Sequence, residues 1–280
     1  RSQPPLVAPV LTAGEKGPHW LKFTFFGAAG HGSAPKKKSN ALNKAVRFMA
    51  NAERHLRIPG RQLPVNTLSL FKSFLQRYPF SDLVKLLSKK STPSNPYEKD
   101  RRTYRSMFET SYSFDKIRAG EKVNIVPDRC ELEVDFRVVP GLSAQQLFDT
   151  LADYCSWLGY KVELPDGFTN KQKNDGRFLD EPVDIQVSVI TIGEGFFVDR
   201  QSEFGKLLDG SFEAVYEAVP VYTFSSGFSD ASNMYAGGMK DVFVVGPQGS
   251  NAHNANESVD VASLVEVAKL YLLTAYRFLR

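Results

Sequence analysis

The chain has 280 residues, of which 42% are hydrophobic and 12% aromatic. This is enough apolar material for one large domain or two ordinary ones. Thirty-five basic and 31 acidic residues give a formal net charge of +4, with both signs mixed along the sequence, so neither nucleic acid nor a membrane is indicated as a partner. Two cysteines are too few for a disulfide framework or a thiolate zinc site. No run of 18 apolar residues predicts a transmembrane helix.

A strand and a helix are predicted within the first 60 residues. Apolar side chains alternate from His19 to Gly27, which is typical of a strand. Ser39 is a suitable N-cap for the following helix, and Pro59-Gly60 is a suitable stop signal. The predicted buried face of this helix has apolar residues at helical spacing, namely Leu42, Ala45, Val46, Met49, Ala52 and Leu56.

The segment after residue 109 predicts two strands, a helix and a last strand. The strands are Thr110–Ile117 and Cys130–Val138, and strict alternation in the second predicts that its apolar face is buried. Ser143-x-x-Gln146 matches a capping box at the start of a helix. The last strand is expected at Tyr160–Leu164 or at Val187–Ile192. The resulting β-α-β-β-α-β order is that of the ferredoxin-like fold.

After about residue 200, helices alternate with the wholly apolar segments Val219–Phe224 and Val242–Val245. Such strands are typical of a mostly parallel sheet covered on both faces. Two strands are too few for a complete α/β domain, so part of that domain is expected elsewhere. Functional sites in such sheets lie at the carboxyl ends of strands, here the loops Ser225–Asp230 and Gly246–Glu257. The final helix is predicted to pack through Leu264, Val267, Ala268, Tyr271, Leu272 and Ala275.

Two histidines lie in loops that follow predicted strands. His31 is flanked by glycines, and an exposed imidazole there can donate to an oxyanion; a histidine that only stabilises the turn is the alternative. The glycine spacing is not that of a dinucleotide site. His253 has the position of a zinc ligand at a strand end. Its alternative is a surface histidine beside a final helix capped by Asn256 and Glu257.

Asn124 and Arg137 are candidates for binding a carboxylate. A guanidinium together with a carboxamide can hold a substrate carboxylate through several hydrogen bonds. The alternative for Arg137 is a cross-strand salt bridge with a neighbouring acid, which is common for an arginine on an exposed strand face. A helix N-cap is the expected role of Asp230, and a functional role is the alternative. Cys130 and Cys155 lie on apolar faces and are predicted to be buried free thiols.

Five motifs in this order resemble the M20 family of metallopeptidases. They are GEKGPHWLKFTFFGAAGHGSAP, NALNKAV, GEKVNIVPDRCELEVDFRVVPG, SGFSDASNM and VVGPQGSNAHNANESV. The first motif and the long insertion are most similar to the carboxypeptidase S and aminoacylase branch. The resemblance implies an α/β fold, the C-terminal part of a zinc-peptidase domain with an inserted ferredoxin-like lid that also dimerises. The implied boundaries are 1–17 for the tail of the N-terminal half, 18–199 for the lid with an insertion at 57–109, and 200–280 for the C-terminal half.

The resemblance also implies roles for individual residues. His253 corresponds to the last zinc ligand, and His31 to the lid histidine that reaches the partner subunit's active site and polarises the scissile carbonyl. Asn124 and Arg137 correspond to residues that hold the substrate carboxylate, and Gly227 in SGFSDASNM is a further substrate-binding residue. Two zinc ions per subunit are implied for the complete enzyme. Their other ligands and the general base are expected N-terminal to this chain, which alone is expected to be inactive.

The implied activity is zinc-dependent hydrolysis of amide bonds in N-acyl amino acids or small peptides with a free carboxylate. The lid implies a homodimer, no nucleic acid or membrane is expected as a partner, and the cytoplasm is the expected location. A non-catalytic dimerisation or binding protein derived from the lid is the alternative.

Overall fold

The computed structural model describes residues 9–35, 39–59, 109–169, 182–252 and 254–280. The described residues fall into two compact units. Those between 17 and 195 form the first, called the central unit. Those of 9–16 and 196–280 form the second, called the terminal unit. Most of the predicted insertion at 57–109 lies outside the described residues.

Twelve strands and five helices are defined in the described part of the chain. In chain order they are β1 Val10–Glu15, β2 Gly17–Phe26, β3 Gly30–His31, α1 Ala41–His55, β4 Ser111–Ala119, β5 Ile125–Val126, β6 Arg129–Val138, α2 Ala144–Trp157, β7 Val162–Glu163, β8 Ile185–Ile192, β9 Phe196–Phe197, α3 Glu203–Tyr216, β10 Val221–Ser225, α4 Asp230–Ala236, β11 Gly249–Ser250, β12 Ser258–Val259 and α5 Val261–Phe278.

The central unit is built on a five-stranded sheet with the order β4-β6-β2-β8-β7. All neighbouring strands are antiparallel except β7 and β8, which are parallel. Together with α1 and α2, these strands confirm the predicted β-α-β-β-α-β order, and the mixed α/β fold class is confirmed with it. Both candidate positions for the last strand are occupied, the first by the short β7 and the second by β8.

Side chains from one face of the sheet and from both helices form the core of the central unit. The alternation predicted for β6 is confirmed, because its apolar residues are buried and the charged residues between them are not. The capping box at Ser143 and Gln146 is also confirmed. Phe48 of α1 packs against Phe23 and Tyr154, with ring centroids 5.1 and 5.0 Å apart.

The structure corrects the prediction for α1. Asn40, not Ser39, is the N-cap, and its side chain accepts a hydrogen bond from the amide of Asn43 at 3.1 Å. The predicted face is rotated, because Val46 is 48% exposed and Phe48 is fully buried. A large aromatic ring gains more from burial than a valine does, so the helix turns Phe48 inward.

The terminal unit contains the three-stranded sheet β10-β1-β9. β1 is parallel to β10 and antiparallel to β9, and the sequence pattern does not predict it. The strand predicted at Val242–Val245 is wrong, since only Val244 joins the sheet, in an isolated bridge with Thr12. The backbone amides and carbonyls of these two residues exchange hydrogen bonds of 2.8 and 2.9 Å.

The predicted face of the final helix is also wrong, apart from one residue. Val267 is buried as predicted, but the other five predicted residues are exposed, namely Leu264, Ala268, Tyr271, Leu272 and Ala275. The helix packs on α3 and buries the residues Ser263, Val267, Leu270 and Thr274. Apolar residues occur on several sides of this helix, so their spacing alone does not identify the packed face. In the part of the chain that the structure describes, no helix is both long enough and apolar enough to cross a membrane.

Candidate functional site

The structure brings the loops of His31 and Asn124 together in the central unit. Strand β3 pairs with β5, so that His31 lies opposite Ile125. The amide of Gly32 donates to the carbonyl oxygen of Asn124 at 2.8 Å. Both His31 and Asn124 are exposed. Two polar side chains therefore occupy one end of the sheet on loops that are joined through the backbone.

The contacts with Ser33 favour one tautomer of the His31 ring. Its amide donates to Nδ1 at 3.2 Å, and its hydroxyl lies 2.8 Å from the same nitrogen. A backbone amide can only donate, so Nδ1 is an acceptor and the neutral ring carries its proton on Nε2. His31 is thereby an exposed N–H donor.

Arg137 lies on β6 in register with Pro18 of β2 and Ser111 of β4. Its Nε and Nη2 donate to Oδ2 of Asp135 at 3.0 and 2.8 Å. Both side chains are partly buried, at 28% and 19% exposure. The interaction is a salt bridge within one strand, and not the cross-strand salt bridge of the alternative prediction. The guanidinium is thus oriented by Asp135.

The structure does not bring Arg137 close to Asn124. The Asn124 loop precedes Arg129, which begins β6 and lies opposite Phe26. Arg137 lies eight residues further along the same strand. At a rise of about 3.3 Å per residue this corresponds to roughly 26 Å. One central unit therefore cannot bind a single carboxylate with both side chains.

The Ser225–Asp230 loop of the terminal unit follows β10, as expected for a strand-end site. The amide of Gly227 donates to the hydroxyl of Ser225 at 2.9 Å. Ser229, not Asp230, is the N-cap of α4, and its hydroxyl accepts from the amide of Ala231. The prediction for Asp230 is therefore corrected by one residue.

Glu15 is a polar residue of this region that the sequence pattern misses. Glu15 ends β1 of the terminal unit and is only 3% exposed. It accepts hydrogen bonds from the amide and hydroxyl of Ser229, both at 2.8 Å. An acidic residue that follows the apolar, strand-like sequence Val10–Ala13 is the signal that could have indicated it.

His253 lies outside the described residues. Strands β11 and β12, which precede and follow it in the sequence, form a two-stranded antiparallel ladder. Asp260 caps α5, and its Oδ1 accepts from the amide of Ser263 at 2.6 Å. The expectation that Asn256 and Glu257 cap the final helix is therefore wrong.

No three His, Cys, Asp or Glu side chains within the described ranges are grouped closely enough to hold a metal ion. Both cysteines are buried and free, as predicted. Burial raises the pKa of the Cys130 thiol to about 11 and also raises the pKa of Cys155. Neither thiol is a nucleophile at neutral pH.

A family model identifies the chain. Residues 13–163, more than half of the sequence, match the peptidase dimerisation domain of M20 proteins. The chain belongs to the M20 family, which confirms the resemblance carried by the five motifs. A comparison of the sequence with curated proteins gives no match.

Solved structures of M20 peptidases share the fold. The chain is similar to the M20 family metallo-carboxypeptidase Sso-CP2 of Sulfolobus solfataricus, with 18% identity and a TM-score of 0.60 over 97% of this chain and 61% of that protein. It is also similar to the dipeptidase Dug1p of Saccharomyces cerevisiae, with 15% identity and a TM-score of 0.61 over 97% of this chain and 56% of that protein. A third similar structure is human carnosine dipeptidase 1, with 13% identity and a TM-score of 0.61 over 96% of this chain and 56% of that protein. The chain thus spans less than two thirds of the length of these proteins.

Proposed function

We propose that the protein containing this chain is a zinc-dependent hydrolase of amide bonds in N-acyl amino acids or small peptides with a free carboxylate. The observation that supports this most directly is the pairing of the His31 and Asn124 loops, with an N–H donor presented by His31. Membership of a family of metallopeptidases gives the reaction class.

In this proposal His31 stabilises the oxyanion. Its Nε2–H points away from the Ser33 bond and is a neutral donor, which can bind the carbonyl oxygen of the scissile amide as negative charge develops on it. The donor is oriented before the substrate arrives, because Ser33 and the Gly32–Asn124 hydrogen bond hold the loop.

The proposal assigns the substrate carboxylate to Asn124, Arg137 and Gly227. Arg137 supplies charge and hydrogen-bond donors, and Asn124 supplies a carboxamide donor. The amide of Gly227 is bonded to Ser225, so Gly227 would contribute by leaving space for the substrate beside its backbone. No Cβ is present there to obstruct a carboxylate.

Strand β6 spans roughly 26 Å from Arg129, which follows the Asn124 loop, to Arg137, and this length supports a site shared by two subunits. If both side chains bind one carboxylate, they must come from different copies of the chain. We therefore propose a homodimer through the central unit, in which His31 and Asn124 of one copy act together with Arg137 of the other. The match to a dimerisation domain supports this arrangement.

The proposal includes zinc, although no zinc site is found among the described residues. Two ions per subunit are proposed, with His253 as one ligand and the others outside the described residues. The described side chains by themselves do not fit a zinc site. For this reason the steps proposed above are restricted to His31, Asn124, Arg137 and Gly227.

The test is an assay of the full-length, zinc-loaded protein on a panel of N-acyl amino acids and dipeptides. His31→Ala is expected to lower kcat by about 10²-fold or more, as loss of an oxyanion donor does. His55→Ala is the matched control, because His55 is an exposed histidine at the end of α1. Equal kcat values for the wild type and His31→Ala would contradict the assigned role.

A non-catalytic dimerisation or binding protein is the second candidate. The salt bridge between Arg137 and Asp135 favours it, because it provides a purely structural role for the guanidinium. The same assay distinguishes the two candidates: this one predicts no hydrolysis by the zinc-loaded full-length protein on any member of the panel.

A further inference from the structure

Glu15 is a buried carboxylate whose bonds reach a distant loop. Both of its oxygens contact Ser229: Oε2 accepts from the amide at 2.8 Å, and the hydroxyl lies 2.8 Å from Oε1 and 3.0 Å from Oε2. The hydroxyl of Ser232 is 3.4 Å from Oε2. Glu15 and Ser229 are 214 positions apart in the sequence.

A carboxylate in this position requires such donors. An ionised group that is 3% exposed loses most of its hydration, and hydrogen bonds must replace it. Bonds to an ionised acceptor are shorter and stronger than neutral ones. The Ser229 amide and hydroxyl are therefore held firmly by Glu15.

The position of Glu15 in the sheet also fixes the other end of the loop that contains Ser229. Glu15 is in register with Ser225, the last residue of β10. The loop is thus fixed at its start by strand pairing and at its end by the Glu15–Ser229 bonds. Only Ser226, Gly227 and Phe228 lie between these two points, and all three are exposed.

We propose that Glu15 is a positioning residue, which holds the Gly227 loop in the conformation that binds the substrate. The inference rests on the proposed function, in which Gly227 is a substrate-binding residue. If the Glu15–Ser229 bonds are lost, the loop samples other conformations, and the apparent affinity falls with the fraction of molecules that remain competent to bind.

Glu15→Gln and Ser229→Ala remove these bonds in different ways. Glutamine keeps one acceptor oxygen, but its NH₂ group cannot accept the second hydrogen bond. Ser229→Ala removes the hydroxyl, and Ser229→Thr keeps it as the conservative rescue. Glu213→Gln is a matched control, since Glu213 is an exposed glutamate on α3 of the same unit.

Steady-state kinetics of the full-length protein separates positioning from stability. Glu15→Gln and Ser229→Ala are expected to raise KM about tenfold while kcat changes little, and Ser229→Thr and Glu213→Gln are expected to resemble the wild type. A purely structural role would reduce the amount of folded enzyme, which lowers apparent kcat and leaves KM unchanged. Unchanged KM in Glu15→Gln would overturn the inference.

Hydrogen exchange of the same variants does not depend on activity. Faster exchange of the amides at 226–229 in Glu15→Gln, with unchanged protection in β10 and α3, is the expected result. Equal protection of this loop in Glu15→Gln and the wild type would overturn the inference even if the enzyme were active. An inactive wild type with a loosened Glu15→Gln loop would count against the proposed function and not against the positioning role.

Discussion

The amide of Gly32 donates to the carbonyl oxygen of Asn124 at 2.8 Å, which joins the His31 loop to the turn before β6. The two residues are 92 positions apart in the sequence, yet their loops form one structural feature. The bond explains how two polar side chains from distant motifs are held at the same end of a sheet. Changes that displace either loop should therefore affect both residues.

Gly27 is the first residue after β2 and packs closely against the backbone at the start of α1. A Cβ at Gly27 would lie 2.1 Å from the carbonyl oxygen of Ser39 and 2.7 Å from the amide nitrogen of Ala41, whereas a Cβ at Gly30 would meet nothing within 4 Å. Gly27→Ala is expected to lower the free energy of unfolding by about 2 kcal/mol or more, as overpacking does. Gly30→Ala, the control in the same loop, should have little effect. Urea denaturation measures both, and equal stabilities would disprove the packing argument.

Lys44 is the centre of a polar network beneath the same loop. Its Nζ donates to the carbonyl oxygen of Phe26 at 2.7 Å and forms an ion pair with Asp184, which also accepts from the amide of Lys161. Lys44 and Asp184 are only 13% and 27% exposed. Lys44→Met should destabilise the protein by about 2–3 kcal/mol, because an acid and a carbonyl lose their donor.

The control for Lys44 is Lys116→Met. Lys116 also pairs with a carboxylate, Glu133, but on an exposed face of the sheet. Solvent screens such pairs, so thermal unfolding of Lys116→Met should closely follow the wild type. If the two variants unfolded at the same temperature, the network around Lys44 would have no special role.

His19 should make the stability of the protein depend on pH. Burial lowers the pKa of His19 below its ordinary value of 6.5, although the backbone at Gly17 and Pro18 and the charge of Glu194 act in the opposite direction. Between about pH 6.5 and the lower pKa of the folded state, the unfolded chain binds a proton at His19 that the folded chain does not. The free energy of unfolding should therefore fall with decreasing pH, with a contribution of up to about 1.4 kcal/mol per pH unit.

His19→Leu isolates this effect, because leucine does not titrate. Chemical denaturation of the wild type and His19→Leu between pH 7.5 and about 5 should show a shallower pH dependence for the variant. Parallel curves would mean that His19 is protonated equally in the folded and unfolded states.

The tautomer of His31 can be observed directly. The Ser33 amide requires an unprotonated Nδ1, so nitrogen-15 NMR above the pKa of an ordinary histidine should show the proton on Nε2. The exposed His55 serves as an internal reference. A proton found mainly on Nδ1 would remove the structural basis for the proposed oxyanion donor.

The sequence predicts elements well where a pattern has a single interpretation. Strict alternation from Cys130 to Val138 fixes which face of β6 is buried, since every second residue is charged. The spacing of Ser143 and Gln146 defines the start of α2 for a similar reason, because both side chains have one specific partner in a capping box.

Where several faces of a helix are apolar, tertiary packing decides and the sequence does not. Phe48 competes with Val46 for burial in α1, and the larger ring is the one buried. In α5 the neighbouring α3 selects a face that includes two polar residues, Ser263 and Thr274. Glu15 is missed because its role depends on Ser229, which no local pattern connects with it.

The candidate site was predictable only as separate residues. The motifs identify His31, Asn124 and Arg137 by resemblance, but they place Asn124 and Arg137 only 13 positions apart in the sequence. This short separation in sequence favours two side chains that are close in space. They are far apart instead, because the backbone of β6 between them is extended. The resemblance already implies that His31 acts in the partner subunit's active site, and the length of β6 gives a separate reason to propose a site shared by two subunits.

Complementation between two variants tests the proposed shared site most directly. Asn124→Ala and Arg137→Ala are each expected to be nearly inactive as homodimers of the zinc-loaded full-length protein. When the subunits are dissociated, mixed and reassociated, half of the dimers should be heterodimers, each with one intact site. The account predicts recovery of about one quarter of the wild-type rate. No recovery from a mixture shown to contain heterodimers would contradict a site built from both subunits.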